Sequence, residues 1–546
     1  MVFYSLFRIF ATKSGDDAHA RPIEHRFVGS RLKLKIDMMT KLRQWLLSPV
    51  LIIVGTMMLA ACSDTKDVSP PEQPDKVHGM PDEARTLVRV MNEESYSPDE
   101  FLTHLGSPSM AELMKTIFLP VGIQIDQIAN SLAKVKLSVH LPRLDSLFAA
   151  EVGTEDDGTR RWRFESYTFT YQSVTADGQS IEMSGRVTFP NNVVDGVGHE
   201  VNTLSLHSHQ ELPYPDWAPS ESMMFMPMRA MYNSAVIEPD FQNWGINHPK
   251  FYDDSGSPKA LNRQLVDCTI AALEVMQQHG VTLAPDGHTT NWGGSKCAAV
   301  PIIFAKYYQT EAPQWFRDAI RLGSTFTGEG EYDLSEVLPY FFQNPKLYLN
   351  SLSFMSYLVG LSADQVGGYE VKDLFAPWVN DSIYHAGDKD YTILDALALK
   401  IINIDDPCLP EITTLDQVLA PDMLTPDGRF DASSPKAQAL FHCLIEENDV
   451  YGWEPTQPIY IAHCPYDDVI PYSYSRQFYL RLSNQETNPA VHWLDIPATA
   501  SVVTAAYADG TNTLHLIVSF FMHLYMSCVE EPADMAKMYV EVMSDK

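Results

Sequence analysis

The chain has 546 residues, with 39 Lys plus Arg against 70 Asp plus Glu and 45% hydrophobic residues. That is too apolar for a disordered chain, too long for a disulfide-stapled mini-protein, and long enough to bury a large core in one elaborated domain or about two to four ordinary ones. The net charge of −31 becomes −36 beyond residue 61, because residues 1–61 hold nine Lys or Arg and four Asp or Glu; such a field repels phosphate backbones and argues against a nucleic-acid partner.

The amino terminus reads as an address. Lys41-Leu42-Arg43 precedes an apolar run from Trp45 to Leu59, which ends in Leu59-Ala60-Ala61-Cys62 and turns polar from Ser63 to Asp67. The run is broken by Ser48-Pro49 and falls short of the ~20 apolar residues a membrane-spanning helix needs. A charged start, an apolar middle and a small-residue exit are the parts of a secretory signal. The Leu-Ala-Ala-Cys quartet resembles the lipobox of bacterial lipoproteins, which implies lipidation of Cys62 as the first mature residue. A signal begins near the first residue, so residues 1–37 are read as preceding the true start at Met38 or Met39, with residues 38–61 as the signal. Ser63 after Cys62 implies, by the same resemblance, the outer membrane, on either face. Residues 62–82, rich in Asp, Lys, Pro and Ser, read as a flexible tether. The later cysteines, Cys268, Cys297, Cys408, Cys443, Cys464 and Cys528, are widely spaced and include no CxxC pair. They permit disulfides in an exported protein without suggesting a framework, a zinc site or redox work.

Residues 83–150 carry helical patterns such as Met110 to Phe118 and read as a helical extension. From Arg161 the texture alternates, in Tyr167 to Tyr171 and, after Asp177-Gly178, in Ile181 to Phe189, which predicts a hairpin. Short apolar strands then alternate with helical patterns: Thr203 to His207, Ala235 to Glu238, Thr289 to Trp292, Ala319 to Leu322, Ile459 to His463 and Val491 to Ile496. That alternation predicts an α/β fold, a mostly parallel sheet with helices on both faces. One helix is fully punctuated, with Ser257 as its cap, Pro258 at its first position, Leu261, Leu265, Cys268, Ala272 and Val275 on one face, and Gly280 as its stop. The core is expected in two parts, residues 151–324 and 454–546. Between them residues 325–453, with clusters such as Tyr340-Phe341-Phe342, read as a helical insertion, a lid or packed core.

Three signals carry chemistry. Thr289 to Trp292 runs into Gly293-Gly294-Ser295-Lys296-Cys297 and then into a helical stretch to Lys306, the strand, turn and helix of a nucleophile elbow, whose crowded backbone demands small residues two before and two after the nucleophile. The strand Ile459 to His463 ends in Cys464-Pro465-Tyr466-Asp467-Asp468, a loop that offers a carboxylate to orient an imidazole. His515 stands between a polar loop and an apolar helical stretch. Separately each is weak, but Ser295, Asp467 and His515 follow the order Ser, acid, His, as in α/β-hydrolases. His207 and His209 lie on one side of a strand, the spacing of a metal pair, but without a third ligand at matching spacing. His463-Cys464 reads as strand-end packing. No metal or cofactor is expected.

At this point the chain resembles the α/β-hydrolases of the exported bacterial lipase and esterase type and is similar to secretory lipases over roughly residues 160–530. The likeness rests on Ala176-Asp177-Gly178, Ser184-Gly185, Ser234 to Asp240, His248-Pro249, Glu447-Asn448-Asp449 and Trp453-Glu454-Pro455, and on the motifs of Asp467 and His515. It implies Ser295 as nucleophile, Asp467 as acid, with Asp468 as the alternative, and His515 as base. Oxyanion donors are expected from the backbone N–H of Lys296 and from Ser208 or His209 after the strand Thr203 to His207. The implied activity is hydrolysis of a small-molecule or lipid ester by a membrane-tethered enzyme. A serine peptidase of the same fold and a silent binding lipoprotein are the rivals. Departures from the pattern are the missing Gly after His207, Cys297 in place of the last elbow Gly, Lys296 where a neutral residue is common, and Pro301, which removes a helical hydrogen bond and is expected to kink the helix.

Overall fold

Alternating strands and strand–helix units build one sheet, as the sequence predicts. The computed structural model describes residues 77–101, 125–152, 160–208, 226–247, 257–343, 367–398, 401–402, 407–410 and 415–495, less residues 78, 99, 176, 177, 193, 195, 243, 388 and 468, all within the compact unit Asp75–Lys546. In chain order the main elements are β1 (Leu87–Tyr96), α1 (Ile125–Val152), β2 (Trp162–Val174), β3 (Ser180–Asn192), β4 (His199–Ser208), β5 (Ser234–Pro239), α2 (Pro258–Gln278), β6 (Val281–Gly294), α3 (Ala299–Thr310), α4 (Gln314–Ile320) and β7 (Leu322–Gly328). They continue with α5 (Leu334–Gln343), α6 (Pro377–Asp381), β8 (Ile383–Ala386), β9 (Lys389–Thr392), α7 (Ile393–Ala398), α8 (Pro435–Glu447), β10 (Ile459–His463), α9 (Tyr472–Leu482) and β11 (Val491–Asp495).

The nine strands of the main sheet run in the order β1-β2-β3-β5-β4-β6-β7-β10-β11. The first three and the β3–β5 pair are antiparallel, and from β5 onward every pair is parallel. The parallel half is therefore the half that needs helical crossovers, and it points the carboxyl ends of β4, β6, β7 and β10 to one edge, where open α/β sheets bind ligands.

Helix α2 follows its punctuation. The Ser257 hydroxyl accepts from the Ala260 N–H at 3.3 Å, Pro258 opens the helix, and Gly280 takes a φ of +70° that stops it. Its apolar side, with Leu261, Leu265, Cys268 and Val275, packs into one cluster with Phe169, Val187, Leu204 and Ile237 of the sheet.

Three expectations are corrected. The stretch 83–150 is not purely helical: it opens with β1, an edge strand whose Glu93, Glu94 and Tyr96 pair with Tyr167, Ser166 and Phe164. Charged residues suit an exposed edge and hide the apolar alternation a buried strand would show; the stretch Met110 to Phe118 lies outside the described residues. Ala319 and Ile320 close α4 rather than open a strand, because Arg321 takes a left-handed φ of +46° that ends the helix and starts β7. The stretch 325–453 begins with the end of β7 and contains the small antiparallel hairpin β8–β9, so it is not wholly helical.

Beyond β7 a separate apolar cluster gathers Leu334, Val337, Leu374, Phe375, Leu397, Val418, Leu440 and Leu444, and takes in Val469 and Ile470 from the loop after β10. Cys268, Cys297 and Cys464 are buried, Cys443 is half-buried and Cys408 is exposed, and Cys528 lies outside the described residues. Among the described residues no helix is long and apolar enough to cross a membrane. Because Ile470 is fully buried where the loop meets this cluster, Ile470→Ala is expected to lower stability by ~3 kcal/mol, measured as a shift in the urea midpoint at unchanged slope.

Candidate active site

The turn after β6 is dictated by a backbone crossing. A Cβ on Gly293 would lie 2.8 Å from the Ser208 carbonyl oxygen and 2.9 Å from the Pro301 ring, so β4, β6 and α3 approach more closely there than any side chain permits. The chain escapes through Ser295, whose φ is +50°. A left-handed Ser costs of order 1 kcal/mol or more and persists only where its surroundings enforce it. Ser295 and Cys297 then form a single 3₁₀ turn that leads into α3, and the Ser295 carbonyl accepts from the Ala298 N–H at 3.1 Å and the Glu331 N–H at 3.3 Å.

The departures in this turn are accommodated. Cys297 is buried and joins the core cluster. Pro301 does not break α3: it is the third residue of the helix, where the N–H has no intrahelical partner in any case, and its carbonyl accepts from Asn291 Nδ2 at 3.1 Å. Farther along α3, Lys306 Nζ binds the Asp449 carboxylate at 2.8 Å and the Tyr451 carbonyl at 2.8 Å, while Asn448 Nδ2 donates to the Tyr332 carbonyl at 2.8 Å. The Asn448-Asp449 pair thus ties the helix after Ser295 to the segment that leads into β10.

Asp467 lies in the loop after β10, two strands from Ser295, with β7 between. Its side chain is inaccessible to solvent. Oδ1 accepts from the N–H groups of Val469 and Ile470, both at 2.9 Å, and Oδ2 stands 3.2 Å from His463 Nε2. The segment after β7 stitches the two halves together. The Glu329 N–H donates to Ala462 O at 2.8 Å, the Glu331 N–H reaches Ser295 O, and the Ser475 hydroxyl on α9 donates to Gly330 O at 3.2 Å. Glu329 is itself left-handed, at φ +49°, and its carboxylate is buried. Burial, with the Glu329 charge adding to it, pushes the Tyr332 phenol well above its ordinary value.

Of the predicted site residues, Ser208 ends β4, Ser295 and Lys296 follow β6 and Asp467 follows β10, strands whose carboxyl ends lie along one edge of the sheet. Ser208 ends β4 opposite Gly293, and its buried hydroxyl has no hydrogen-bond partner among the described residues. His515, Asp468, His209 and Cys62 lie outside the described residues. His207 is engaged in a buried polar chain: Arg229 Nε donates to Ser205 Oγ at 2.6 Å, Ser205 Oγ lies 2.9 Å from His207 Nε2, and the Arg229 guanidinium sits 4.3 Å over the Trp292 ring. No group of three potential metal ligands occurs among the described residues.

Two residues of this edge escaped the sequence. His463, expected as strand-end packing, contacts the Asp467 carboxylate; a His at the last position of a strand, four residues before a loop carboxylate, was the available signal. Glu329 had none, since its place depends on the neighbouring strands.

No protein-family model and no curated protein matches the chain. Among solved structures it is similar to the rice cell wall degrading esterase LipA from Xanthomonas oryzae. Against the ligand-bound form the TM-score is 0.51 at 14% identity, covering 82% of this chain and all (100%) of that one. Against another LipA structure it is 0.50 at 13% identity, covering 80% and 98%. The fold is that of an α/β-hydrolase. In this fold the turn of Ser295 and the loop of Asp467 follow the sixth and tenth strands along the chain. A hydrolase from Legionella pneumophila, described as putative, aligns at a TM-score of 0.48 and 16% identity over 80% of this chain and 98% of that one.

The two ends of the turn respond oppositely to substitution. Gly293→Ala is expected to cost ~1–3 kcal/mol through overpacking against backbone and a proline ring, whereas Ser295→Gly, which relieves the left-handed strain, is expected to add ~1 kcal/mol. Chemical denaturation of both variants reads the signs.

Proposed function

We propose that the protein is a membrane-tethered serine hydrolase that cleaves carboxylic esters, of the lipase and esterase kind. The observation that carries the reading is the strained Ser295 at a strand–turn–helix junction whose crossing admits only glycine at 293, with a buried carboxylate after β10 at the same sheet edge. The LipA structures with which the chain shares its fold are described as those of a cell wall degrading esterase, which favours an ester over an amide.

A serine hydroxyl is a weak nucleophile until a base takes its proton. In this reading His515 takes the Ser295 proton as Oγ attacks the ester carbonyl, and Asp467 holds the imidazole in its productive tautomer and offsets the charge that forms. The tetrahedral oxyanion is met by the backbone N–H of Lys296, at the start of the turn into α3, and by a donor from Ser208 or His209; each such donor contributes ~3 kcal/mol to the transition state. His515 returns the proton to the leaving alcohol. Water, deprotonated by the same imidazole, then attacks the acyl-enzyme, releasing the carboxylic acid and restoring the Ser295 hydroxyl. Cys62 carries the lipid that holds the enzyme at the envelope, most simply at the outer membrane, with residues 62–82 as its tether. No cofactor enters the scheme.

Ser295→Ala is expected to abolish labelling by a fluorophosphonate probe and to lower kcat for nitrophenyl esters by ~10⁴-fold or more; unchanged turnover in that variant would refute the serine mechanism. Preference for aminoacyl nitroanilides over the esters would move the assignment to a peptidase. Cys62→Ala is expected to prevent incorporation of labelled palmitate and to shift the protein from the membrane to the soluble fraction.

A further inference from the structure

We propose that His463 is a positioning residue of the hydrolytic site, one that locks the Asp467 carboxylate so that its second oxygen stays aimed at the catalytic imidazole. The inference rests on the serine hydrolase reading above and assigns to this chain an element beyond the expected trio.

His463 is the last residue of β10, and its side chain, like that of Asp467, has 0% solvent exposure. Both ring nitrogens are engaged. Nε2 lies 3.1 Å from the Ile470 carbonyl and 3.2 Å from Asp467 Oδ2. The Ile470 carbonyl is an acceptor, so Nε2 carries a hydrogen directed to it, and Asp467 Oδ2 lies beside that N–H at ion-pair distance. Nδ1 lies 2.8 Å from the Ser475 hydroxyl, which in turn reaches Gly330 O in the segment bonded to the nucleophile turn. The Tyr472 ring meets the imidazole edge-on, with centroids 5.8 Å apart. The imidazole is therefore fixed in its plane by polar partners at both ends and in its tilt by an aromatic edge.

The division of labour on the carboxylate makes this more than packing. Loop N–H groups of Val469 and Ile470 already hold Oδ1, which satisfies the turn. His463 acts on Oδ2, the oxygen that has to serve the base. A carboxylate accepts about four hydrogen bonds, so the two loop donors on Oδ1 leave capacity for the N–H of a catalytic imidazole, while the His463 ring held 3.2 Å from Oδ2 opposes rotation about the Cβ–Cγ bond. A triad acid works by holding the imidazole's orientation, and a carboxylate free to rotate loses that function even when it is present.

The test compares His463→Leu, His463→Gln, Ser475→Ala and Ser295→Ala in the full chain, with kcat and KM for nitrophenyl butyrate, thermal midpoints and the rate of fluorophosphonate labelling. A Gln amide places an N–H donor near the position of imidazole Nε2. His463→Leu is expected to lower kcat and labelling rate by ~100-fold with KM within ~2-fold, less than the loss of the acid itself. His463→Gln is expected to recover at least ~10-fold of that loss, and Ser475→Ala to lower kcat by ~5-fold with KM unchanged. A His463→Leu enzyme that keeps a third or more of wild-type kcat overturns the proposal, as do equal losses in the Leu and Gln variants. Should the Leu variant fail to fold, Ser475→Ala decides alone: an unchanged kcat overturns the proposal and the expected loss supports it. If Ser295→Ala keeps wild-type turnover, the serine mechanism itself has failed and the role of His463 falls with it, an outcome distinct from the others because it appears in the Ser295 variant.

Discussion

The site depends on one close crossing in the sheet. Where Gly293 passes the Ser208 carbonyl and the Pro301 ring, there is no room for a single methyl group. A strand that must turn into a helix within that space cannot do so through ordinary backbone angles, and the left-handed Ser295 is the result. Strain of this kind is stable only when packing over-determines it, and here β4, α3 and the core-buried Cys297 supply the walls. The same turn that strains Ser295 leaves that residue half-buried just beyond β6, at the carboxyl edge of the parallel strands.

A second constraint makes the edge a unit. Glu329 to Glu331 bond to β10, α9 and the carbonyl of Ser295, so the turn of Ser295 is tied through this segment to the strand that leads into the loop of Asp467. The acid loop reaches the other way as well, because Val469 and Ile470 belong to the apolar cluster of the segment between β7 and β10. Whatever moves that segment acts on the loop that holds Asp467. The long insertion is thus part of what holds the loop of Asp467 in place.

Much of this was legible. Alternation around Asp177-Gly178 gave the β2–β3 hairpin because a half-buried strand has period two, and Ser257, Pro258 and Gly280 marked α2 because caps and stops are local chemistry. β1 was not legible, since Glu93 and Glu94 on an edge strand carry no apolar alternation. The boundary at Ala319 to Leu322 was misread because both α4 and β7 are apolar there, and only the left-handed Arg321 separates them. At the site, Ser295 and Asp467 were found through the strands before them. His463, at a strand end four residues before a carboxylate, carries a weak signal that fits strand-end packing equally well, and Glu329 carries none, because its place depends on the neighbouring strands.

The elements and their punctuation, the α/β alternation, and which hydroxyl and carboxylate stand after strand ends are readable along the chain, because these follow from periodicity and from turn residues that act within a few positions. Only the tertiary structure decided that Pro301 falls harmlessly in the first turn of α3, that Gly293 is irreplaceable because β4 and α3 press on it, and that His463 contacts Asp467 Oδ2. Those facts are distances between elements brought together by the sheet order β4-β6-β7-β10, and strand order is fixed by packing over the whole core rather than by any local run of residues.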